Sequence, residues 1–301
     1  MIEGMGADLR RLLRAGPGGV ELAAVDPRSR PGLTAEQGKQ WARERRSELG
    51  RELARQQEML FASAKTAAPG SAAARRRVLL VLQGMDCSGK GGTVRRVVGA
   101  MNPIGLRVTA FGPPTEQERE RHFLWRVARA LPSAGQVGVF DRSHYEDVLI
   151  ARVRQLVPES VWRGRYDEIN QWESELVAGG VTIVKVMLHL SYREQTERLA
   201  ARLANPAKHW KLDPSDLDER TRWGDYQEAY AELLARCSTD AAPWYVVPAD
   251  RKWYRDWAVT ELLLATCRDL GLRYPPATVD VAEFQRRLAA TAQWGTGPGK
   301  G

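Results

Sequence analysis

Cysteine is scarce in this sequence. The chain holds three, Cys87, Cys237 and Cys267, an odd number, scattered and never in a C-x-x-C arrangement. That excludes a disulfide framework and a zinc site and points to a reducing compartment. Long apolar runs are missing too: the longest clean one is Val78 to Leu82, and residues 1–20 hold no apolar stretch of signal-peptide length. The expectation is a cytoplasmic protein with no membrane span. No helix-turn-helix, RNP or zinc-finger signature occurs, and the tryptophans spread from Trp41 to Trp294 as packing residues would, so no nucleic-acid partner is expected. Internal repeats are absent as well.

What remains is ordinary globular composition. Apolar residues at 43% and charged residues at 27% exclude wholesale disorder, collagen-like repeats and a membrane bundle. A chain of 301 residues needs no covalent staples, since one this size buries roughly 75% of its unfolded surface. The formal charge of +8 favours anionic partners, whether nucleic acid, anionic lipid, nucleotides or polyphosphate, without choosing among them.

Residues 1–33, rich in Gly, Pro and Arg, read as an irregular arm. Thr34 and Gln37 have capping-box spacing, and the segment 34–65 that follows sets Trp41, Leu49, Leu53 and Leu60 near one face, which predicts a long amphipathic helix. Breakers in 66–77 separate it from the main domain, 78–272. There, apolar runs at 78–82, 106–111, 137–140, 182–190 and 244–247 alternate with helical segments at 92–101, 116–130, 144–156, 159–178, 192–204 and 251–270. The alternation predicts a three-layer, doubly wound α/β fold with a five-stranded parallel sheet. A tail, 275–301, is expected to be loose.

The chemistry concentrates after the first strand, in Gly84-Met85-Asp86-Cys87-Ser88-Gly89-Lys90-Gly91-Gly92-Thr93. The spacing G-x-x-x-x-G-K, between a buried strand and a helix, is that of a phosphate-binding P-loop. Glycines let amides converge on a phosphate, the helix start adds favourable dipole, and Lys90 supplies a mobile charge. Gly91 stands where such a loop ordinarily carries the Ser or Thr that holds Mg²⁺. Asp86, inside the loop, either stabilises the turn or faces the metal or acceptor. Asp141, at the end of the strand 137–140, occupies the Walker B position and should share a crevice with the loop. Arg142 then points toward the phosphates or pairs with Glu146 or Asp147. Ser143 and Glu146 have capping-box spacing, and His144 reads as a packed histidine. Between residues 198 and 211 lie Arg198, Arg202, Lys208 and Lys211 and no acid. Arg198 and Arg202 share a helix face, and Asn205-Pro206 breaks the helix into a loop. The segment 198–222 is either a lid over the phosphates or a solvated cationic face.

Five motifs in order, GMDCSGKGGT (84–93), GPPT…FLWR (112–126), FDRSHYEDVL (140–149), NPAKHWK (205–211) and PADRKWYRDWAV (248–259), resemble those of the polyphosphate kinase 2 family over residues 25–272. The resemblance implies a P-loop kinase-like fold with a helical lid, a homo-oligomer, and Mg²⁺-dependent reversible transfer of a terminal phosphate between polyphosphate and AMP or ADP, with GMP or GDP as further acceptors. It implies that Asp86 and Asp141 hold Mg²⁺ and orient the acceptor, while Lys90, Arg142 and Arg202 neutralise the phosphoryl group. Gly84, Gly89, Gly91, Gly92 and Thr93 would cradle phosphate, and Arg198, Lys208 and Lys211 would grip the donor. Arg126, Tyr145 and Glu146 would face the nucleotide. HYEDV resembles the branch acting on mono- and diphosphates, whereas Arg121-His122 stands where the family has a His-Asp pair. An ATP-dependent nucleoside monophosphate kinase is the alternative.

Overall fold

The computed structural model describes residues 3–16 and 18–291. In chain order the elements are α1 (Glu3–Leu13), α2 (Lys39–Thr66), β1 (Arg77–Gln83), α3 (Lys90–Val97), β2 (Leu106–Ala110), α4 (Glu116–Arg119), α5 (Leu124–Arg129), β3 (Val137–Asp141), α6 (Glu146–Val153), α7 (Glu159–Ala178), β4 (Val181–His189), α8 (Tyr192–Leu203), α9 (Pro214–Thr221), α10 (Trp223–Cys237), β5 (Trp244–Pro248), α11 (Lys252–Asp269) and α12 (Val281–Thr291). The five apolar runs are the five strands. All pair in parallel, in the order β2-β3-β1-β4-β5. With helices on both faces, strand residues of either parity are buried: Val78, Leu80 and Leu82 enter one core, with α2, α3 and α11, while Leu79 and Val81 enter the other, with α6, α7 and α10. The doubly wound α/β architecture is therefore as expected, and all strands carry their carboxyl ends to one side.

Four expectations need correction. Residues 1–33 are not simply irregular: α1 buries Leu9 and Leu13 in one core, Ala15 and Leu22 enter the other, and Ala15 N–H donates to Trp244 O at 2.8 Å. This segment crosses the outer edge of β5 and closes it. The second helix begins at Lys39 rather than near Thr34, because Gly38 is extended, although Thr34 N–H does donate to Gln37 Oε1 at 2.9 Å. Its apolar face is consumed within the chain, with Leu49, Leu53 and Leu60 buried and Trp41 lying 5.9 Å from Trp257. The segment 116–130 is two short helices: the His122 ring pairs with Glu168 on α7 and receives the Leu124 amide, which interrupts the first helix. In the tail, 281–291 is helical and exposed, and the remainder of the tail lies outside the described residues.

One polar cluster sits inside the α6–α7–α10 core. Lys185 Nζ, fully buried on β4, donates to Glu173 Oε2 at 2.5 Å, Tyr145 Oη at 2.8 Å and Cys237 O at 2.7 Å. Tyr145 Oη donates to Glu173 Oε1 at 2.9 Å, and His144 Nε2 lies 3.1 Å from the same oxygen. Burial alone would push the Glu173 carboxyl up, but Lys185 and His144 outweigh it and hold it below the ordinary range. Glu173 therefore stabilises the fold above the unfolded carboxyl pKa, and that contribution is lost as pH falls toward the depressed folded value. Lys185→Met should cost about 3–5 kcal/mol by leaving a buried carboxylate without its cation. Adding Glu173→Leu should recover most of the loss. Without Lys185, burial raises the carboxyl's pKa, so the gap between the chain and the single variant should narrow as pH drops from about 7 to about 4. Urea melts across that range check both statements.

Candidate active site

β1 ends at Gln83, and the chain turns at Gly84, whose φ of +149° suits glycine and where a Cβ would come within 2.7 Å of Leu188 O. The loop that follows is held from outside by side chains. Gln195 Nε2 donates to Asp86 O at 2.9 Å, Arg198 Nη1 to Cys87 O at 2.8 Å, and both Arg198 Nη1 and Arg255 Nη1 to Ser88 O at 3.0 Å. Because a trans peptide directs its N–H opposite to its C=O, the amides of Cys87 and Gly89 turn the other way, beside the start of α3. Gly89 has φ +102°, and a Cβ there would strike the Arg255 guanidinium. Lys90, the first residue of α3, is buried and folds back over the loop, donating to Gly84 O at 2.7 Å. Ser88 Oγ and Thr93 Oγ1 are buried with no protein partner. Together with Gly91 and Gly92 they line an amide cradle suited to an anion.

β3 lies beside β1 with Leu82 opposite Asp141, so this carboxylate emerges level with the loop. Asp141 Oδ2 lies 3.6 Å from the position a Cβ at Gly91 would take, near where a Walker hydroxyl would otherwise project. Arg142, at φ +64°, donates its amide to Leu82 O and its Nη2 to Asp86 Oδ1 at 2.7 Å. It thus pairs with the loop carboxylate and not with Glu146 or Asp147. Burial works against ionisation of Asp86, but Lys90 and Arg142 outweigh it and lower its pKa. Glu146 lies in the same field, yet there burial wins over Arg142 and Lys90 and raises its carboxyl. The Ser143 box does not form: Ser143 Oγ accepts from Tyr145 N and Gln83 Nε2, and α6 starts at Glu146. For a divalent ion, Asp86 and Asp141 offer hard oxygen donors. No group of three or more candidate ligands occurs among the described residues, so such an ion would complete its shell with water and phosphate oxygens, as Mg²⁺ does. The residues fit.

Residues expected to grip the donor separate into two kinds. Lys208 and Lys211 are exposed on a 3₁₀ turn, Pro206–Lys211, capped by Asn205, which accepts from Ala207 N–H. Arg198 is buried, and its donors go to Glu194, to Cys87 O and Ser88 O, and to Ala249 O and Asp250 O. It has no free fork for a polyanion, which corrects its expected role. Arg202 donates to Lys211 O at 3.3 Å and Asp216 Oδ2 at 3.1 Å, and its charge reaches Asp86.

Of the residues expected at the nucleotide, Tyr145 is excluded by complete burial in the Lys185 cluster. Arg126 donates to Gly112 O at 2.9 Å and lies over the Phe111 ring, so it organises the segment that leaves β2. Glu146 stays in the crevice. Arg121 lies 6.0 Å from the Trp125 ring, and His122 pairs with Glu168. Sequence reasoning missed Tyr230 on α10, buried and within the electrostatic reach of Glu146, Asp86 and Arg142, together with Asp216, Gln195 and Arg255. The apolar positions 223, 226, 230, 233, 234 and 237 have helical spacing that could have revealed α10. An arginine set among Trp253, Tyr254 and Trp257 was the available sign of a buried guanidinium.

Comparison with known proteins places the chain among relatives of one family. The chain is 45% identical over 258 residues to an AMP/ADP-polyphosphate phosphotransferase of Meiothermus ruber, covering 86% of this chain and 92% of the relative. It is 42% identical over 216 residues to an ADP-polyphosphate phosphotransferase of Rhodopseudomonas palustris, covering 68% of this chain and 75% of the relative. The crystal structure of polyphosphate kinase 2 from Arthrobacter aurescens superposes with a TM-score of 0.89 at 46% identity, over 94% of this chain and 97% of that one. The model of the family Polyphosphate kinase 2 matches residues 43–271, and a P-loop kinase-like fold with these motifs in place makes the chain a member of that family.

Proposed function

We propose that this protein transfers the terminal phosphoryl group of polyphosphate to a nucleoside mono- or diphosphate, AMP or ADP, with Mg²⁺ as cofactor. The observation that carries the reading is the convergence of Asp86, Lys90, Asp141 and Arg142 on one amide cradle, with Asp141 standing beside Gly91. The similarity to an AMP/ADP-polyphosphate phosphotransferase supports the substrate pair.

An oxygen of the acceptor's terminal phosphate attacks the terminal phosphorus of the donor. The bridging P–O bond breaks, and its electron pair leaves with the shortened chain. One phosphoanhydride replaces another, so the reaction runs in either direction and needs no covalent enzyme intermediate. The task is positioning and charge neutralisation. Lys90 and Arg142 supply cations at the cradle, and Arg202 supplies one from the lid segment. Asp86, kept ionised by its neighbours, orients the acceptor side. Mg²⁺ bound by Asp86 and Asp141 would neutralise phosphate oxygens. Lys208 and Lys211, exposed and free of acids along their turn, receive the donor chain.

Incubation of the protein with Mg²⁺ and AMP, ADP or GDP, offering polyphosphate and ATP as separate donors, tests the reading; turnover with ATP alone would replace it by a nucleotide-donor kinase. Lys90→Ala and Asp141→Asn should each lower kcat by roughly 10²–10³-fold, with circular dichroism melts unchanged. Lys208→Ala with Lys211→Ala should raise KM for polyphosphate more than it lowers kcat. The same pair should flatten the salt dependence of that KM, since each lost phosphate contact removes about one unit of slope. A double variant that altered only nucleotide KM would move these lysines to the acceptor side.

A further inference from the structure

The loop is shaped by two guanidiniums that stand behind it. Ser88 O accepts from Arg198 and Arg255 at once, each at 3.0 Å. Both arginines are buried, and both come from elsewhere in the chain: Arg198 from α8, which leads into the segment 205–222, and Arg255 from α11. Their charges are balanced locally. Arg255 Nε and Nη2 donate to Asp256 Oδ1 at 3.0 and 2.6 Å, and Arg198 Nε donates to Glu194 at 2.8 Å. The glycines have a second use here. The Arg255 guanidinium occupies the space a side chain at Gly89 would need and lies 3.4 Å from a Cβ at Gly92. Arg198 also donates to Ala249 O and Asp250 O, so a single side chain ties α8 to the loop and to the turn after β5.

We propose that Arg198 and Arg255 are positioning residues for phosphate binding. They hold the carbonyls of residues 87 and 88 outward, so that the Ser88 amide closes the loop on Met85 O at 3.0 Å and the Gly89 amide faces the anion, and Arg198 couples the helix before the lid to the shape of the cradle. Neither touches the substrate. For turnover the proposal rests on the function given above, but anion binding by the loop does not.

The test uses the full chain and inorganic tripolyphosphate as probe, with calorimetry at several salt concentrations and steady-state kinetics alongside. Arg198→Met and Arg255→Met should weaken tripolyphosphate binding roughly ten- to hundredfold, the loss expected for charge-assisted bonds that set a geometry. The slope of affinity against salt should stay as in the unaltered chain, because no direct phosphate contact is removed. Arg198→Lys keeps the charge but loses the planar fork. It should weaken binding with unchanged slope, and it decides the matter if the methionine variants fail to fold. A flattened slope in any of the three would show that the guanidinium contacts the polyanion and would overturn the proposal. So would binding equal to that of the unaltered chain. If the unaltered chain binds tripolyphosphate but transfers nothing from polyphosphate, the proposed function falls while this comparison stands.

Discussion

The carboxyl end of the sheet depends on which way three carbonyls point. Residues 86–88 would, left alone, offer their C=O groups as readily as their N–H groups to the crevice, and a ring of carbonyls repels phosphate. Gln195, Arg198 and Arg255 take those carbonyls from outside. The amide surface that remains is electropositive, and Lys90, folded over it, adds a full charge. The cradle is thus a property of three helices, α3, α8 and α11, as much as of the glycine-rich sequence that names it.

A second constraint is charge balance in the crevice. Asp86 is held by Arg142, and Arg202 is held by Asp216. Lys90, Arg142 and Arg202 each have a carboxylate or carbonyl partner within the protein, so an anion bound among them would exchange partners and would not fill bare positive sites. Such exchange keeps the desolvation cost of several nearby charges small, since none is left buried and alone.

Much of this was legible in the sequence. Parallel strands buried on both faces read as uninterrupted apolar runs, so 78–82, 137–140 and 244–247 located three strands directly. The helix at 159–178 has the expected ends, and the meeting of Asp86, Lys90, Asp141 and Arg142 follows from strand-end logic. Burial of polar side chains was not legible. Periodicity places Arg198 and Arg202 on one helix face but cannot say that Arg198 sinks against loop carbonyls while Arg202 stays at the rim. Tyr145 follows Asp141 closely in sequence, yet the pitch of the turn before α6 points it into the core, toward Lys185. The arm at residues 9–25 was opaque because its few apolar residues serve two different cores and so show no single period.

That arm carries a consequence for how the molecule is assembled. Ser238 Oγ bonds to Ala15 O across 223 residues of chain, and the strand beside it, β5, is the last of the sheet to be made. The arm therefore has no docking surface until β5 and α11, more than two hundred residues further along, are in place. Contacts of such long sequence separation carry a large closure entropy and slow the search for the native state. Until the arm docks, β5 offers an open strand to any neighbouring chain.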